Sequence, residues 1–200
     1  MTESAFFAMM SRLKWIDRWA LMRNSSPENL AQHSLDVAML AHALCVIGNR
    51  RFGKHLNAEA AAMIGLYHDV SEILTGDMPT PVKYRNSSIR TAYKKIEEDA
   101  SRELLTLLPE DLRPDFEKAL LPGDELAEEK KYVKAADKLS AYLKCIEERK
   151  AGNREFEQAE KTTLEAIHAL DLPEAEIFLE EFLPAYEKTI DEIRPCAETD

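Results

Sequence analysis

His33, Val37, Leu40, Leu44 and Ile47 recur in steps of four and three. A chain keeps such a stripe on one side only by coiling into an α-helix, and the stripe then demands an apolar partner. The segment Met63-Ile64-Gly65-Leu66-Tyr67-His68-Asp69-Val70 is apolar nearly all round, which predicts a helix at the centre of a bundle. Ile89, Ala92, Tyr93, Ile96, Ala100, Leu104 and Leu107 repeat the helical period further along. Only six glycines occur in 200 residues and β-branched clusters are scarce, so helices are favoured over a sheet. The predicted fold class is all-α, one helical bundle spanning 1–200, since no repeat or composition break marks a second domain.

Local signals set the expected boundaries. A first helix is predicted from Ser4 to about Ile16. Ser26 reads as an N-cap with Pro27 at the first helical position, opening a helix to about Arg51. Asn57 caps the next, from Ala58 to about Leu74, ended by Gly76. Two prolines and a glycine predict a helix-free loop over Thr75–Pro81. Further helices are expected at about Ser87–Leu108, Pro109–Leu120, Glu125–Ala151, Glu155–Leu170 and Pro173–Ile193, with a frayed tail from Arg194 to Asp200.

The net charge of −11 repels a phosphate backbone and argues against a nucleic-acid partner, while leaving room for a small phosphorylated ligand held by local positive charge. The first residues, Met1-Thr2-Glu3-Ser4-Ala5-Phe6-Phe7, do not have the pattern of a signal peptide. No stretch is read as reaching the ~18 apolar residues of a membrane span. Cys45, Cys145 and Cys196 are scattered and odd in number, which suits free thiols in a reducing cytoplasm.

The chemistry concentrates on three predicted helices. His33 sits on the apolar stripe, whereas His42, nine residues on and so about 180° round, points away. His68 and Asp69 interrupt an apolar run, where a carboxylate is costly unless paired or metal-bound. Glu72 shares their side of the helix. In Lys134-Ala135-Ala136-Asp137-Lys138-Leu139-Ser140-Ala141, the small residues around Asp137 permit a close helix approach, with Val133, Asp137 and Ser140 on one side. Each residue alone is compatible with an ordinary core or surface role. Together they form a mixed nitrogen and oxygen donor set without thiolates, unlike structural zinc.

The order His33, His68-Asp69, Asp137 resembles the HD-domain superfamily of metal-dependent phosphohydrolases, with a core over roughly 27–144. The resemblance implies that His33, His68, Asp69 and Asp137 ligate one divalent metal, which could be cobalt, manganese, iron, nickel, zinc or magnesium. Leu21-Met22-Arg23-Asn24, Glu28-Asn29-Leu30-Ala31-Gln32-His33-Ser34-Leu35, Tyr67-His68-Asp69-Val70-Ser71-Glu72 and Leu74-Thr75-Gly76-Asp77-Met78-Pro79-Thr80-Pro81-Val82-Lys83-Tyr84 are similar to the bacterial YfbR-type 5′-deoxynucleotidases. Phe6-Phe7, Ser11-Arg12-Leu13-Lys14 and Ala141-Tyr142-Leu143-Lys144-Cys145 extend the likeness along most of the chain. Gln32 departs from the family's Glu before the first His, which should not alter metal binding.

That resemblance implies hydrolysis of deoxyribonucleoside 5′-monophosphates by a cytoplasmic homodimer. Glu72 would act as acid or base on the attacking water or the leaving oxygen. Arg18 would stabilise phosphoryl charge, and Trp19 would pack on the sugar and leave no space for a 2′-hydroxyl. Asp77, Met78, Pro79 and Thr80 would line the substrate, joined by Asp69 and Asp137. Two other readings stay open: a different HD enzyme, cleaving deoxynucleoside triphosphates or guanosine tetraphosphate, and a non-catalytic regulator that binds metal or nucleotide.

Overall fold

The structure is a computed structural model and describes residues 3–194. Met1, Thr2 and residues 195–200, including Cys196 and most of the tail expected to fray, lie outside the described residues. Helix α1 (Phe6–Met10) tightens into a 3-10 turn over Ser11–Trp15, so the first predicted helix is split. Ile16 is then extended, and the next thirteen residues follow an irregular path up to α2 (Leu30–Arg51).

The cap of α2 is Asn29, not Ser26. Its side chain accepts from the Gln32 N–H at 3.1 Å, and Gln32 Oε1 accepts from the Asn29 N–H at 3.1 Å. This reciprocal capping box satisfies two donors at once. Pro27 and Glu28 are instead drawn into an extended segment by Arg18, whose N–H donates to Glu28 O at 2.9 Å.

Helix α3 (Ala58–Tyr67) is capped by Asn57 as expected but stops at Tyr67, well short of Leu74. From there the chain winds more tightly: the Val70 N–H donates to Tyr67 O and the Glu72 N–H to Asp69 O. His68 and Asp69 therefore occupy a turn, not a helix interior, before α4 (Glu72–Thr75). Gly76 ends α4 at φ 72°, a left-handed conformation that favours glycine. The following loop, expected to be helix-free, contains α5 (Thr80–Lys83). Pro81 falls in its first turn, where the missing N–H has no helical partner to lose.

Helices α6 (Ser87–Thr106), α7 (Arg113–Leu120), α8 (Ala127–Lys150) and α9 (Glu157–His168) match the predicted elements to within a few residues. The last predicted helix is broken. Helix α10 (Pro173–Ile177) passes into a π-turn at Phe178–Phe182, a 3-10 turn at Leu183–Glu187 and α11 (Ile190–Ile193). Pro184 lacks an N–H and its ring crowds the preceding turn, so a regular helix cannot run through it. Among the described residues the one extended pairing is an isolated antiparallel bridge between Asp17 and Asn29, and the fold is all-α.

Two apolar clusters form the core. Val37, Leu40, Leu44, Ile64, Val133, Leu139 and Ile167 lie in one, built by α2, α3, α8 and α9. Phe6, Leu13, Leu30, Val70, Leu104 and Leu120 lie in the other. His33 stands between Leu30 and Val37, and His68-Asp69 between Ile64 and Val70, so both fall where the chain crosses from one cluster to the other. Gly65 permits the crossing: a Cβ there would lie 3.0 Å from Ala38 Cα on α2.

The stripe of α2 is buried as expected and His42 is exposed. On α6, Tyr93, Ala100 and Leu104 are buried but Ala92 and Ile96 are exposed, so its first half lacks the cover its period predicts. Helix α2 is also long and apolar enough, by length and composition, to cross a membrane, contrary to the sequence expectation. The reason is a second apolar line, Leu35, Met39 and Val46, on the face opposite the core stripe.

Candidate metal centre and substrate site

Two helices and one turn converge where the two cores meet. His33 comes from the first turn and a half of α2, His68 and Asp69 from the turn after α3, and Asp137 from the middle of α8. Ligating atoms of His33, His68 and Asp69 all lie within 4.8 Å of one another. Asp137 joins through His33, its Oδ1 standing 3.1 Å from His33 Nε2. Asp69 Oδ2 is 3.1 Å from His68 Nε2 and 3.6 Å from His33 Nε2. Of the four residues singled out in the sequence, three thus form one mutually close group and Asp137 stands beside it, against His33.

The hydrogen bonds behind the imidazoles set their chemistry. His68 Nδ1 lies 2.7 Å from Gly65 O. A carbonyl can only accept, so Nδ1 carries a proton and a neutral His68 turns the lone pair of Nε2 towards Asp69. Two acceptors 3.1 Å apart require a proton or a cation between them. His33 Nδ1 is held 3.0 Å from Ser140 Oγ on α8. The Nε2 atoms of both histidines are buried without an aligned hydrogen-bond partner. Such atoms are costly as they stand, and two imidazole nitrogens with two carboxylates suit a divalent metal.

The electrostatics follow. Burial works against a charged His68, but the adjacent Asp69 carboxylate and then Asp137 outweigh it, and its pKa is pushed up to about 9. Burial likewise opposes the Asp69 anion, yet His68 and His33 hold it down at about 2. Asp137 is kept below the ordinary carboxylate range, its burial outweighed by His33, His68 and Arg18. Both aspartates are thereby kept ionised, and the negative charge that draws a proton to His68 would equally draw a metal cation.

Glu72 is buried at the start of α4, with Oε2 unpartnered. Burial first, and then the negative charges of Asp69 and Asp77, push its pKa up to about 9. A carboxyl held neutral beside ionised carboxylates is a common preparation for proton transfer. Asp77 is half-buried after Gly76, its pKa raised by burial, with Arg18, Asp69, Lys83 and His33 in electrostatic reach. Met78 and Pro79 are half-buried and Thr80 is exposed on the same loop. Among the described residues no hydrogen bond or ion pair ties their side chains to the histidine and aspartate cluster.

Arg18 and Trp19 reach the site from the irregular segment before α2. Arg18 Nη1 is 3.9 Å from Asp69 Oδ2 and its Nε is 3.4 Å from Glu28 Oε2. The Trp19 indole N–H donates to the same Glu28 Oε2 at 2.9 Å. Its ring lies 5.2 Å from that of Phe156. Trp19 has φ 59°, a left-handed backbone that is strained for a bulky residue.

Two charged residues at the site escaped the sequence reading. Glu28 looked like a first-turn helix residue, and nothing in the sequence signals a pairing nine residues back. Lys83 donates to Glu97 at 2.7 Å and lies over the Tyr93 ring. Burial disfavours its charge, but Glu97, Glu72 and Asp69 overcome this and raise its pKa. Its place within the segment 74–84 was the available signal.

Comparison with known proteins identifies the family. The 5′-deoxynucleotidase YfbR-like family matches residues 5–186. A 5′-deoxynucleotidase of Vibrio atlanticus is 50% identical over 193 residues, covering 96% of this chain and 100% of the relative. The 5′-deoxynucleotidase YfbR of Escherichia coli is 52% identical over 194 residues, covering 96% and 97%. An HD-domain phosphohydrolase from Listeria innocua superposes with a TM-score of 0.78 at 25% identity, covering 90% of this chain and 87% of that one. The cyanophage S-2L HD phosphohydrolase DatZ, bound to dA and one catalytic Zn2+ ion, shares the fold at a TM-score of 0.64 and 22% identity, covering 94% and 99%. With so much of its length matched at half identity, this chain belongs to the YfbR-like 5′-deoxynucleotidase family.

Proposed function

We propose that the protein is a metal-dependent phosphomonoesterase that converts deoxyribonucleoside 5′-monophosphates to deoxyribonucleosides and inorganic phosphate. The observation that carries the reading is the opposition of His68 Nε2 and Asp69 Oδ2 at 3.1 Å, with both histidine Nε2 atoms buried and unpartnered. His33, His68, Asp69 and Asp137 would hold one divalent ion, with cobalt and manganese the first to test. A bound ion supplies positive charge that polarises a phosphoryl oxygen and acidifies water.

The chain's own groups do the rest. The Arg18 guanidinium, next to Asp69, can receive two phosphoryl oxygens and offset charge that builds during the reaction. Water attacks phosphorus, the bond from phosphorus to the 5′-oxygen breaks, and the proton lost by water is matched by one gained at that oxygen. Glu72 is the group suited to exchange those protons, because its raised pKa makes the neutral and charged forms both accessible. Asp77, Met78, Pro79 and Thr80 offer polar and apolar contacts to the sugar. Trp19 supplies rigid bulk where a 2′-hydroxyl would project.

Phosphate release across deoxyribonucleotides and ribonucleotides, with each divalent metal and with chelator, tests the proposal. Release of phosphate from dAMP, lost with chelator, is expected. Release of triphosphate from dATP would instead make this a triphosphohydrolase, and no metal-stimulated release would leave a non-catalytic binder. The exposed line Leu35, Met39 and Val46 on α2 supports a homodimer, which light scattering can measure. The free, buried thiols of Cys45 and Cys145 support a reducing, cytoplasmic setting.

A further inference from the structure

We propose that Glu28 is a positioning residue that locks Arg18 and Trp19 into one unit at the edge of the metal centre. The proposal rests on the roles given above to those two residues. A single oxygen, Glu28 Oε2, accepts the indole N–H of Trp19 at 2.9 Å and lies 3.4 Å from Arg18 Nε. Glu28 is only 9% exposed. A carboxylate shielded from water binds a guanidinium and an indole N–H more strongly than an exposed one would.

The backbone repeats the same connection. The Arg18 N–H donates to Glu28 O at 2.9 Å and the Leu30 N–H to Ile16 O at 3.0 Å. Residues 16–18 are thereby held antiparallel to 28–30, just before the helix that carries His33. Trp19 lies at φ 59°, a conformation that persists only when surrounding contacts over-determine it. The Glu28 bond on the indole nitrogen and Phe156 against the ring provide those contacts.

The charge of Glu28 has a second consequence. Arg18 reaches from Glu28 to Asp69, 3.9 Å from Oδ2. Without Glu28, the guanidinium has only the carboxylates of the metal centre to pair with, and it would compete there for the oxygens that ligate. Glu28 holds Nε on the far side and keeps the terminal nitrogens directed at the place of the phosphate.

The test uses the full-length, metal-loaded protein carrying Trp15→Phe, so that Trp19 is the remaining one of the two tryptophans. Glu28→Ala and Glu28→Gln are compared by Trp19 emission and anisotropy and by Tm, and both are compared with Trp19→Ala by kcat and KM for dAMP and AMP. Glu28→Ala is expected to shift Trp19 emission to the red and lower its anisotropy. The dAMP to AMP ratio of kcat/KM should fall about tenfold, the scale of one lost hydrogen bond to a charged group. Glu28→Gln keeps an acceptor for the indole N–H, so emission and ratio should return to within about twofold of the parent. Its dAMP kcat/KM should stay low, because Arg18 has lost its counter-charge.

A folded Glu28→Ala variant with parental emission and ratio overturns the proposal. Altered emission in Glu28→Ala, with a dAMP to AMP ratio unchanged in both Glu28→Ala and Trp19→Ala, upholds the positioning role and removes the sugar selectivity assigned to Trp19. Should Glu28→Ala not fold, Glu28→Gln decides alone: parental dAMP kcat/KM overturns the proposal and a selective loss supports it.

Discussion

The metal centre and the segment that carries Arg18 and Trp19 are neighbours in space but are built in opposite ways. His33, Asp137 and the turn with His68 and Asp69 rest on α2, α8 and α3, whose faces are defined by helical period within each element. Residues 16–29 have almost no regular structure. They take their path from residues far along the chain: the Ser25 and Ser26 N–H groups donate to Glu148, Arg23 O accepts from Asn153 at 2.8 Å, and Trp19 rests on Phe156. Glu148 is fully buried and also pairs with Lys144. On the function proposed above, the metal ligands would sit on helices and the turn between them, and the choice of substrate on a loop fastened by residues beyond 144.

That contrast can be broken most severely at the metal. Asp137→Ala or His68→Ala should remove bound metal and activity together, a loss exceeding the roughly 10- to 100-fold typical of a residue that only supports a ligand. Metal content by elemental analysis and phosphate release measure it, and a purified variant that keeps stoichiometric metal would refute the assigned ligands. Next in size is Glu72→Ala. Turnover should drop about 10²–10⁴-fold, the range of a lost acid or base, while metal content and dAMP binding persist. Loss of metal would make Glu72 a ligand.

The fastening of the loop is open to a stability test. Glu148→Ala leaves the buried Lys144 without its counter-charge, with only Ser26 O to accept from it, and should cost about 3–5 kcal/mol, read by denaturant unfolding. The pH dependence has a definite sign. Burial opposes the Glu148 anion, but Lys144, Asn153 and the Ser25 and Ser26 amides outweigh it and hold its pKa at about 2, down from 4.5. A depressed carboxylate pKa stabilises the fold above the unfolded value and loses that contribution as pH falls. The wild type should therefore lose stability between pH 4.5 and about 2, and Glu148→Gln should flatten the slope there.

The smallest expected effect sharpens the division between cleavage and choice. Trp19→Ala should lower the preference for dAMP over AMP by about tenfold, the scale of about 1–3 kcal/mol that a fitted pocket wall contributes. Metal content should not change. Equal turnover of dAMP and AMP by the wild type would sink the assignment of Trp19 and leave the metal centre untouched.

The sequence alone determined the helical class and pointed to the candidate metal ligands, because both depend on spacing along one element. The step of three and four from His33 to Ile47 makes a buried face whatever packs on it. An Asp among alanines and a His-Asp pair in an apolar run are each ordinary alone, and it is their occurrence together with His33 that points to a site. Tertiary structure decided what depends on distant partners. The sequence pointed to Ser26 as the cap, and the cap is instead Asn29, because Arg18 draws Glu28 into a backbone pairing outside the helix. The helix expected to run through His68 yields to a tighter turn where the chain passes between two cores. Glu28, Glu148 and Phe156 matter through contacts 9, 122 to 123 and 137 positions away in sequence, and no local pattern encodes such contacts.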